Sequence, residues 1–338
     1  MRIADMCLLY LLLALGMNLI VGYAGLLELG FVGFYAMGAY VVALLSSPHL
    51  SDTFAGLLLW FPLGLHAPPW LTLPLGIGLA ALLGMAFGGP TLKLRGDYLA
   101  IVTLAFGEIV RLLLVNLGDA PLNLTNGARG VGPMDPLRIA GWPLDQSMQL
   151  GPLTLAPVTL HFYVFAVCVV LVLVLCRRLE QSRWGRAWQA IRDDEVAAEA
   201  MGLPVSRLKL LAFALGAGIG GLAGGLFASF QGFVSPEAFS LQESVFIVAM
   251  VVFGGMGHLS GVLLGALILT ALPEVLRYVV GPLQSMTEGR LDAGMVRPLM
   301  IAIVMIVTMR LRPHGLWPKP DWRGGVTPEA TRTAALTR

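Results

Sequence analysis

Long, continuous apolar runs separated by polar stretches dominate the pattern of this chain. Several of them approach or exceed the roughly 17–25 apolar residues that a helix needs to cross the hydrocarbon core of a membrane. These runs are 6–26, 72–89, 98–118, 160–176, 210–230, 244–281 and 296–310. Strands of a membrane barrel would alternate apolar and polar residues, so the pattern predicts membrane-spanning helices.

The run 244–281 is long enough for two helices, and we place the break at Gly254-Gly255-Met256-Gly257. The segment 29–46 is either a further span or a re-entrant element, so we expect about eight or nine transmembrane helices. The composition agrees with an all-α, polytopic membrane protein: 57% of the residues are hydrophobic and 12% are charged. The first run is predicted to be a retained span, because a secretory signal precedes a soluble mature chain and here apolar runs continue to residue 310.

The basic residues predict the orientation, since Lys and Arg cluster in loops that stay in the cytoplasm. They concentrate in 177–209 and after residue 310, whereas 119–159 has only Arg129 and Arg138. We therefore expect 177–209 on the cytoplasmic side and 119–159 in the periplasm. The domain boundaries follow: 1–318 is the transmembrane domain, and the polar, aperiodic residues 319–338 are predicted to form a disordered cytoplasmic tail.

Glycines recur every four positions in two of the predicted helices, and small residues at this spacing let helix backbones approach closely in a membrane. The two helix-packing stripes are Gly216, Gly220 and Gly224, and Gly257, Gly261 and Gly265. The first stripe also contains a GxGxxG pattern. A dinucleotide site is not predicted from it, because that fingerprint requires a preceding strand and a solvated turn.

The block 185–209 is the polar, charge-rich exception in an apolar chain. From Trp184 a helical pattern places Trp184, Trp188 and Ile191 on one side, followed by Ala198 and Met201, while Arg192, Asp193 and Glu199 point to water. Gly202 and Pro204 end the helix. The helix either lies on lipid headgroups or docks a soluble partner. Its acidic residues would be repelled by an anionic leaflet, which favours docking.

Ionisable and polar residues inside the predicted spans have two interpretations. Glu108 and Arg111 are three apart on one helix, as are Glu274 and Arg277, and Asn18 and Glu28 lie near the first helix. Each group either lines a translocation path or forms a structural contact with a neighbouring helix, and Glu28 either lines the path or sits at the interface. We take Asn18, Glu28, Glu108 and Arg111 as the candidate path residues.

The sequence contains little that could carry out catalysis. The histidines are scattered, and Cys7, Cys168 and Cys176 lie in or beside apolar runs, so we expect no metal site and no cofactor. The chain has no GxxxxGK[ST] phosphate-binding motif, so any ATP hydrolysis would need another polypeptide. We expect a transporter and not an enzyme. A self-contained, ion-coupled secondary transporter stays open, because the Gly254–Gly257 break would suit a midplane site.

Several ordered segments resemble the branched-chain amino acid ABC transporter permeases of the LivM type. The resemblance runs from about residue 14 to 317. The stretches are NLIVGYAGLLELGFVGFYAMGAYVVALL (18–45), LRGDYLAIVTLAFGEIVRLLL (94–114), TNGARGVGP (125–133), GRAWQAIRDDEVAAEAMG (185–202), KLLAFALGAGIGGLAGGLFA (209–228) and LRPHGLWP (311–318). Urea or short-amide permeases of the same family share much of this pattern and stay open as an alternative.

The resemblance implies an importer in a bacterial inner membrane that moves leucine, isoleucine and valine. The partners implied are a second, homologous permease subunit in a heterodimer, two ATP-binding subunits, a periplasmic substrate-binding protein and membrane lipid, with no nucleic acid. The segment matching 185–202 would be the coupling helix that contacts the ATPase. Its residues here are Gly185, Arg186, Ala190, Ile191, Arg192, Asp194, Glu195, Ala198, Glu199 and Gly202.

Overall fold

The structure is a computed structural model that describes residues 2–54, 65–92, 94, 96–118, 123–139, 142–144, 148–150, 153–286, 293–312 and 315–317. Its helices are α1 Arg2–Met17, α2 Val32–Ser46, α3 His49–Thr53, α4 Pro69–Thr91, α5 Asp97–Asn116, α6 Pro157–Gln181, α7 Arg183–Asp193, α8 Glu195–Ala200, α9 Val205–Gln231, α10 Leu241–Gly254, α11 Leu259–Met286 and α12 Ala293–Leu311. A π-helix, Asn18–Tyr23, continues α1, and single 3-10 turns span Gly127–Arg129 and Pro236–Phe239.

The predicted polytopic, helical membrane protein is confirmed. Among the described residues, five helices are long and apolar enough to cross a membrane: Arg2–Tyr23, Pro69–Thr91, Asp97–Asn116, Pro157–Gln181 and Val205–Gln231. Shorter apolar helices are Val32–Ser46, Leu241–Gly254 and Leu259–Pro273. The predicted break is present, because α10 ends at Gly254 and α11 begins at Leu259.

The named strands of the described residues form two small antiparallel hairpins, which the sequence analysis does not predict. In the first, β1 Arg138–Ile139 pairs with β2 Trp142–Pro143, and in the second, β3 Met148–Leu150 pairs with β4 Leu153–Leu155. Both lie in the long connection between α5 and α6. Strands of two or three residues are too short to show the alternating pattern by which strands are recognised.

The helices run between two ends of the molecule. The hairpins and the start of α6 mark one end, where Val131 pairs with Val234 just beyond α9. The opposite end carries α7 and α8, because α6 runs directly into α7 and α8 leads back into α9. The 25 residues of α6 separate the two ends by about 37 Å at roughly 1.5 Å per residue. We name them the hairpin end and the α7–α8 end.

The long helix α9 forms the centre of the bundle, and its glycines allow neighbouring backbones to approach. A Cβ atom added at Gly216 would lie 2.9 Å from the carbonyl oxygen of Gly16 on α1. One at Gly224 would lie 2.7 Å from the Ala39 nitrogen on α2 and would overlap the Tyr35 carbonyl oxygen. Gly220 differs, since its added Cβ would meet the Phe31 ring at 3.1 Å. This stripe therefore contacts two helices at once.

The second predicted glycine stripe needs a correction at Gly257. This residue does not belong to a helix but to the turn that precedes α11, with a φ of +81° that favours glycine. Gly261 does lie on α11, and an added Cβ there would meet the backbone of Gly254 on α10. Gly265 lies one turn further on and also faces Gly254. The side chains of Glu274 and Arg277 and the predicted tail 319–338 lie outside the described residues.

Candidate functional site

The amphipathic helix α7 is anchored through one face. Ser182 caps its first turn, where the Ser182 hydroxyl oxygen accepts hydrogen bonds from the Trp184 and Gly185 amides at 3.2 and 3.3 Å. Trp188 is fully buried, and its indole Nε1 donates to the Leu208 carbonyl oxygen on α9 at 2.7 Å. A buried indole needs such a partner, so this bond fixes the rotation of α7 about its axis.

The predicted single helix from Trp184 to Met201 is wrong, because the chain breaks at Asp194. This residue has an extended backbone, and its carboxylate oxygen Oδ1 accepts a hydrogen bond from the Ala197 amide at 3.0 Å, which caps α8. The break changes which side chains pack: Ala198 is buried as predicted, whereas Met201 is 84% exposed and Trp184 is 49% exposed. The predicted stop at Gly202 is present, with a φ of +83°.

A buried ion pair joins α8 to α9. The Lys209 ammonium lies 2.7 Å from a carboxylate oxygen of Glu195, and Lys209 is almost completely buried whereas Glu195 is about one-third exposed. In the sequence, Lys209 is one of the basic residues that mark 177–209 as cytoplasmic, and no partner for it is evident. Its pairing with Glu195 depends on the turn around Gly202, and a spacing of 14 residues gives no local signal for such a contact.

Arg192 is exposed, as predicted, but its guanidinium group also bonds to the protein. Its Nη1 donates to the Gly22 carbonyl oxygen at 2.5 Å and lies 3.5 Å from the Met256 carbonyl oxygen. Gly22 belongs to the π-helix after α1, and Met256 to the turn between α10 and α11. The α7–α8 segment is thus tied to three separate membrane elements, through Trp188, Glu195 and Arg192.

The residues that the resemblance assigns to ATPase coupling fall into two groups. Arg186, Ala190, Arg192, Asp194, Glu199 and Gly202 are exposed, whereas Gly185, Ile191 and Ala198 are buried and Glu195 is half-buried. Gly185 packs against the last turn of α6, where an added Cβ would overlap the Leu179 and Glu180 carbonyl groups. The buried members therefore hold the segment in place, together with Arg192 through its hydrogen bond to Gly22, and the other exposed members remain available to a partner.

The outward face of α8 combines charge with exposed apolar side chains. Val196 is 63% exposed and lies beside the exposed Glu199, one turn before Met201. Next to it, a cleft of about 240 Å³ opens between this segment and the start of α5, lined in part by Gly25, Leu99, Asp193 and Asp194. Exposed apolar residues rimmed by charges are typical of a protein-binding surface.

The candidate path residues Asn18 and Glu28 are both fully buried within the protein. Asn18 Oδ1 accepts a hydrogen bond from the Gly257 amide at 2.9 Å. Glu28 Oε1 accepts one from the Gly30 amide at 3.0 Å. The neighbouring residue Leu29 bonds to two hydroxyl groups. Its carbonyl oxygen accepts a hydrogen bond from the Ser244 hydroxyl on α10, and its amide donates one to the Thr103 hydroxyl on α5.

Glu108 and Arg111 form the predicted pair on one face of α5, with the Arg111 Nη2 atom 2.5 Å from Glu108 Oε1. The pair borders an open recess of about 580 Å³ together with Glu237 and the first turns of α10. Both this recess and the Glu28 loop lie where α5 faces α10. The structure therefore places the four candidate path residues along contacts of α1, α5 and α10, and their role in translocation stays a prediction.

The hairpin end presents a second polar surface. His66 and Asp135 form an ion pair there through Nδ1 and Oδ2, beside an open cavity of about 670 Å³ that Arg138 and Trp70 also line. Among the residues that the structure describes, no group of three or more His, Cys, Asp or Glu side chains is arranged to hold a metal ion.

Comparisons with known proteins identify the family. The model of the family described as "Branched-chain amino acid transport system / permease component" matches residues 1–309. The LivM permease of the high-affinity branched-chain amino acid transport system of Escherichia coli (strain K12) is 39% identical over 328 residues, which cover 94% of this chain and 69% of that protein. The probable LivM permease of Methanocaldococcus jannaschii is 25% identical, with 92% of this chain and 91% of that protein covered.

A LivH permease, from Salmonella typhimurium, is 24% identical over 317 residues, with 92% of each chain covered. No solved structure matches this chain. The family model spans most of the chain, and the identity to LivM extends over nearly all of it. The chain therefore belongs to the family of permease components of branched-chain amino acid transport systems.

Proposed function

We propose that this protein is the transmembrane permease subunit of an ATP-driven importer of leucine, isoleucine and valine, and that its α7–α8 segment docks a separate ATPase subunit. The observation that carries the proposal is the two-sided construction of this segment. Trp188 and Ile191 of α7 are buried against the protein, whereas Val196 and Glu199 of α8 and Met201 just after it are exposed. A helix seated on lipid would bury its apolar face in the bilayer, whereas α7 buries its apolar face in its own protein.

The sequence supports an external source of energy. It has no GxxxxGK[ST] motif, so the chain does not present the loop that cradles nucleotide phosphates in ATPases of that class. Movement driven by ATP must then enter through a contact with another subunit. The exposed face of α8 is the surface that we assign to this contact, with two ATP-binding subunits serving a pair of permeases.

The second permease of the pair is proposed to be a homologous subunit. The relatives of this chain include both LivM and LivH permeases, and both are named as permeases of branched-chain amino acid transport systems. A chain that resembles both, but LivM more strongly, fits one half of a heterodimer. The substrate-binding protein would meet the hairpin end, where the His66–Asp135 pair and Arg138 give a polar surface.

The orientation follows from the same division of the molecule. The α7–α8 end carries the basic residues that favour the cytoplasm, so we place it on the inner face of a bacterial inner membrane. The hairpin end, with 119–159, then faces the periplasm. This arrangement presents the docking surface to cytoplasmic ATPases and the hairpins to a periplasmic binding protein.

The docking surface can be tested by the double substitution Val196→Asp and Met201→Asp, which adds charge to exposed apolar positions of α8. We expect the ATPase to be lost on co-purification and uptake of labelled leucine to fall, with membrane insertion retained. Ser206→Asp is the control, since it adds a negative charge of the same kind, one in place of two, at an exposed position of the same end, outside α7 and α8. Full uptake and normal co-purification of the double variant would refute the docking assignment.

The substrate class is tested in vesicles that contain the assembled transporter. Leucine, isoleucine and valine should each compete with labelled leucine, and urea and short amides should not. Uptake of labelled urea without uptake of labelled leucine would identify the related urea class. Uptake driven by an ion gradient in the absence of ATPase subunits would instead identify a secondary transporter.

A further inference from the structure

The Arg192 side chain contacts the ends of two membrane helices at once. It leaves the last turn of α7 and reaches the π-helix Asn18–Tyr23 through the Gly22 carbonyl oxygen, 2.5 Å from Nη1. The same Nη1 lies 3.5 Å from the carbonyl oxygen of Met256, two residues after α10 ends. One guanidinium group thus lies between two helix C-termini that are far apart in sequence.

The local backbone makes the Gly22 carbonyl a good acceptor. In a regular α-helix it would receive the amide of Leu26, but Leu26 donates to the Ile20 carbonyl oxygen at 3.2 Å instead. The last carbonyl groups of a helix need donors and carry a negative partial charge. The Arg192 guanidinium supplies both a donor and a positive charge at this position.

Glycines make room for the arginine on both sides. An added Cβ at Gly25 would lie 2.9 Å from the Arg192 Cγ, and one at Gly257 would overlap the Arg192 Nη1. Both glycines also have positive φ angles, +70° and +81°, which side-chain-bearing residues rarely adopt. The two turns are therefore shaped around the path of this side chain.

A second, buried contact joins the same two turns on the side away from α7. The Gly257 amide donates to Asn18 Oδ1 at 2.9 Å, and Asn18 begins the π-helix. Arg192 and Asn18 thus bridge α1 and the α10–α11 turn at two levels, one near the surface and one fully buried. Movement of α7 along this connection reaches the membrane interior without passing through α9.

From this geometry we propose that Arg192 is the positioning residue that transmits movement of the docked α7–α8 segment to α1 and to the α10–α11 turn. Arg192 acts through its contacts with Gly22 and Met256, and the ATPase binds elsewhere on the segment, at the exposed face of α8. The inference rests on the proposed function, since it presupposes a docked ATPase. It differs from that proposal in separating the residue that transmits movement from those that bind the partner.

The test uses the complete transporter in vesicles, with three quantities measured on the same preparation: the amount of ATPase that co-purifies, ATP hydrolysis, and leucine transported per ATP hydrolysed. Arg192→Gln removes the charge and most of the reach of the side chain. Arg192→Lys keeps the charge with a single point donor. Asn18→Ala removes the buried acceptor of Gly257, and Asn18 is fully buried within this chain.

We expect Arg192→Gln and Asn18→Ala to retain the ATPase while the transport per ATP falls at least about fivefold, the lower end of typical coupling between sites. Arg192→Lys should restore part of this ratio. Arg207→Gln is the control, because it removes an exposed arginine from the first turn of α9 and should leave the ratio unchanged.

Each outcome decides between the two proposals. Normal transport per ATP in Arg192→Gln overturns the transmission role and leaves ATPase docking intact. If the ATPase no longer co-purifies with Arg192→Gln but still does with Asn18→Ala, Arg192 is a docking residue, and the transmission role is overturned in this case too. Absence of the ATPase from the wild-type complex refutes the proposed function itself. If Arg192→Gln does not assemble, normal ratios in both Arg192→Lys and Asn18→Ala overturn the inference.

Discussion

Substitutions by alanine along α9 should have graded effects on stability, because the glycines face different neighbours. An added Cβ at Gly218 would meet the Ile77 side chain at 3.4 Å, an ordinary contact. At Gly220 it would meet the Phe31 ring at 3.1 Å, and at Gly224 the Ala39 nitrogen at 2.7 Å. The Ile77 side chain does not need to move, and the Phe31 ring needs to move only a few tenths of an ångström. The Ala39 nitrogen is backbone and cannot rotate away.

Two opposing energies set the magnitude. Alanine is favoured over glycine inside a helix by roughly 0.5–1 kcal/mol. Overpacking costs typically about 1–3 kcal/mol when backbones must move. At Gly224 the added atom would overlap the Tyr35 carbonyl oxygen and would lie 2.7 Å from the Ala39 nitrogen, 0.7 Å inside the 3.4 Å of an ordinary contact, so α2 and α9 must separate along their interface. We therefore expect Gly218→Ala to stabilise slightly, Gly220→Ala to be near neutral, and Gly224→Ala to cost about 1–2 kcal/mol.

The assay is thermal unfolding of the purified, detergent-solubilised variants at one scan rate, since membrane proteins of this size often unfold irreversibly. A loss of about 1–2 kcal/mol should lower the midpoint by roughly 1–3 °C, because an unfolding entropy of about 2.1 cal/mol/K per residue gives about 1.4 °C per kcal/mol for 338 residues. Gly218→Ala is the matched control because the substitution and the helix are the same. Equal midpoints for Gly218→Ala and Gly224→Ala would refute the close approach of α2 and α9.

Two further predictions concern the α7–α8 end. Glu195→Gln should destabilise the protein more than Lys209→Met, because the first leaves a buried ammonium without its counter-ion, whereas the second leaves a carboxylate that is about one-third exposed to water. The loss in Glu195→Gln should stay below the roughly 3–5 kcal/mol of fully buried pairs, because water already reaches Glu195; equal thermal midpoints would contradict this asymmetry. The orientation can be tested with an impermeant thiol reagent on intact cells, in a background without Cys7, Cys168 and Cys176. Met201→Cys at the α7–α8 end should be protected, while Arg138→Cys at the hairpin end should react. Labelling of Met201→Cys from outside would reverse the proposed orientation.

Features that depend on local spacing were predictable from the sequence. Apolar runs gave the long helices, the glycines at 254–257 gave the break between α10 and α11, and three-residue spacing gave the Glu108–Arg111 pair. Gly202 ends α8 with the positive φ that its position after a helix predicts. In each case the physical cause acts within one or two helical turns, so a window of sequence contains it.

Features set by contacts between distant segments were not predictable. The sequence on both sides of Asp194 reads as one continuous helical pattern. Asp favours helix caps, but only the observed hydrogen bond from the Ala197 amide shows that Asp194 ends one helix and begins the next. Arg192 and Lys209 carry charges that suggest water, yet one bonds to Gly22 and the other is buried against Glu195. The fold of the bundle brings Arg192 to Gly22, 170 residues away, and the turn at Gly202 brings Lys209 back to Glu195, so neither pair has a local sequence signal.

The same reasoning explains why charge at the α7–α8 end has two distinct roles. Some charged groups, such as Glu199, stay in water, where an ion pair with a partner is screened and adds modest affinity. Others, such as Arg192 and Lys209, are directed into the protein and fix α7 and α8 to α1, α9 and the α10–α11 turn. A docking surface that only bound its partner would not need the inward group. The inward contacts let force applied to the surface reach the membrane helices, which is why the segment suits energy transmission better than simple attachment.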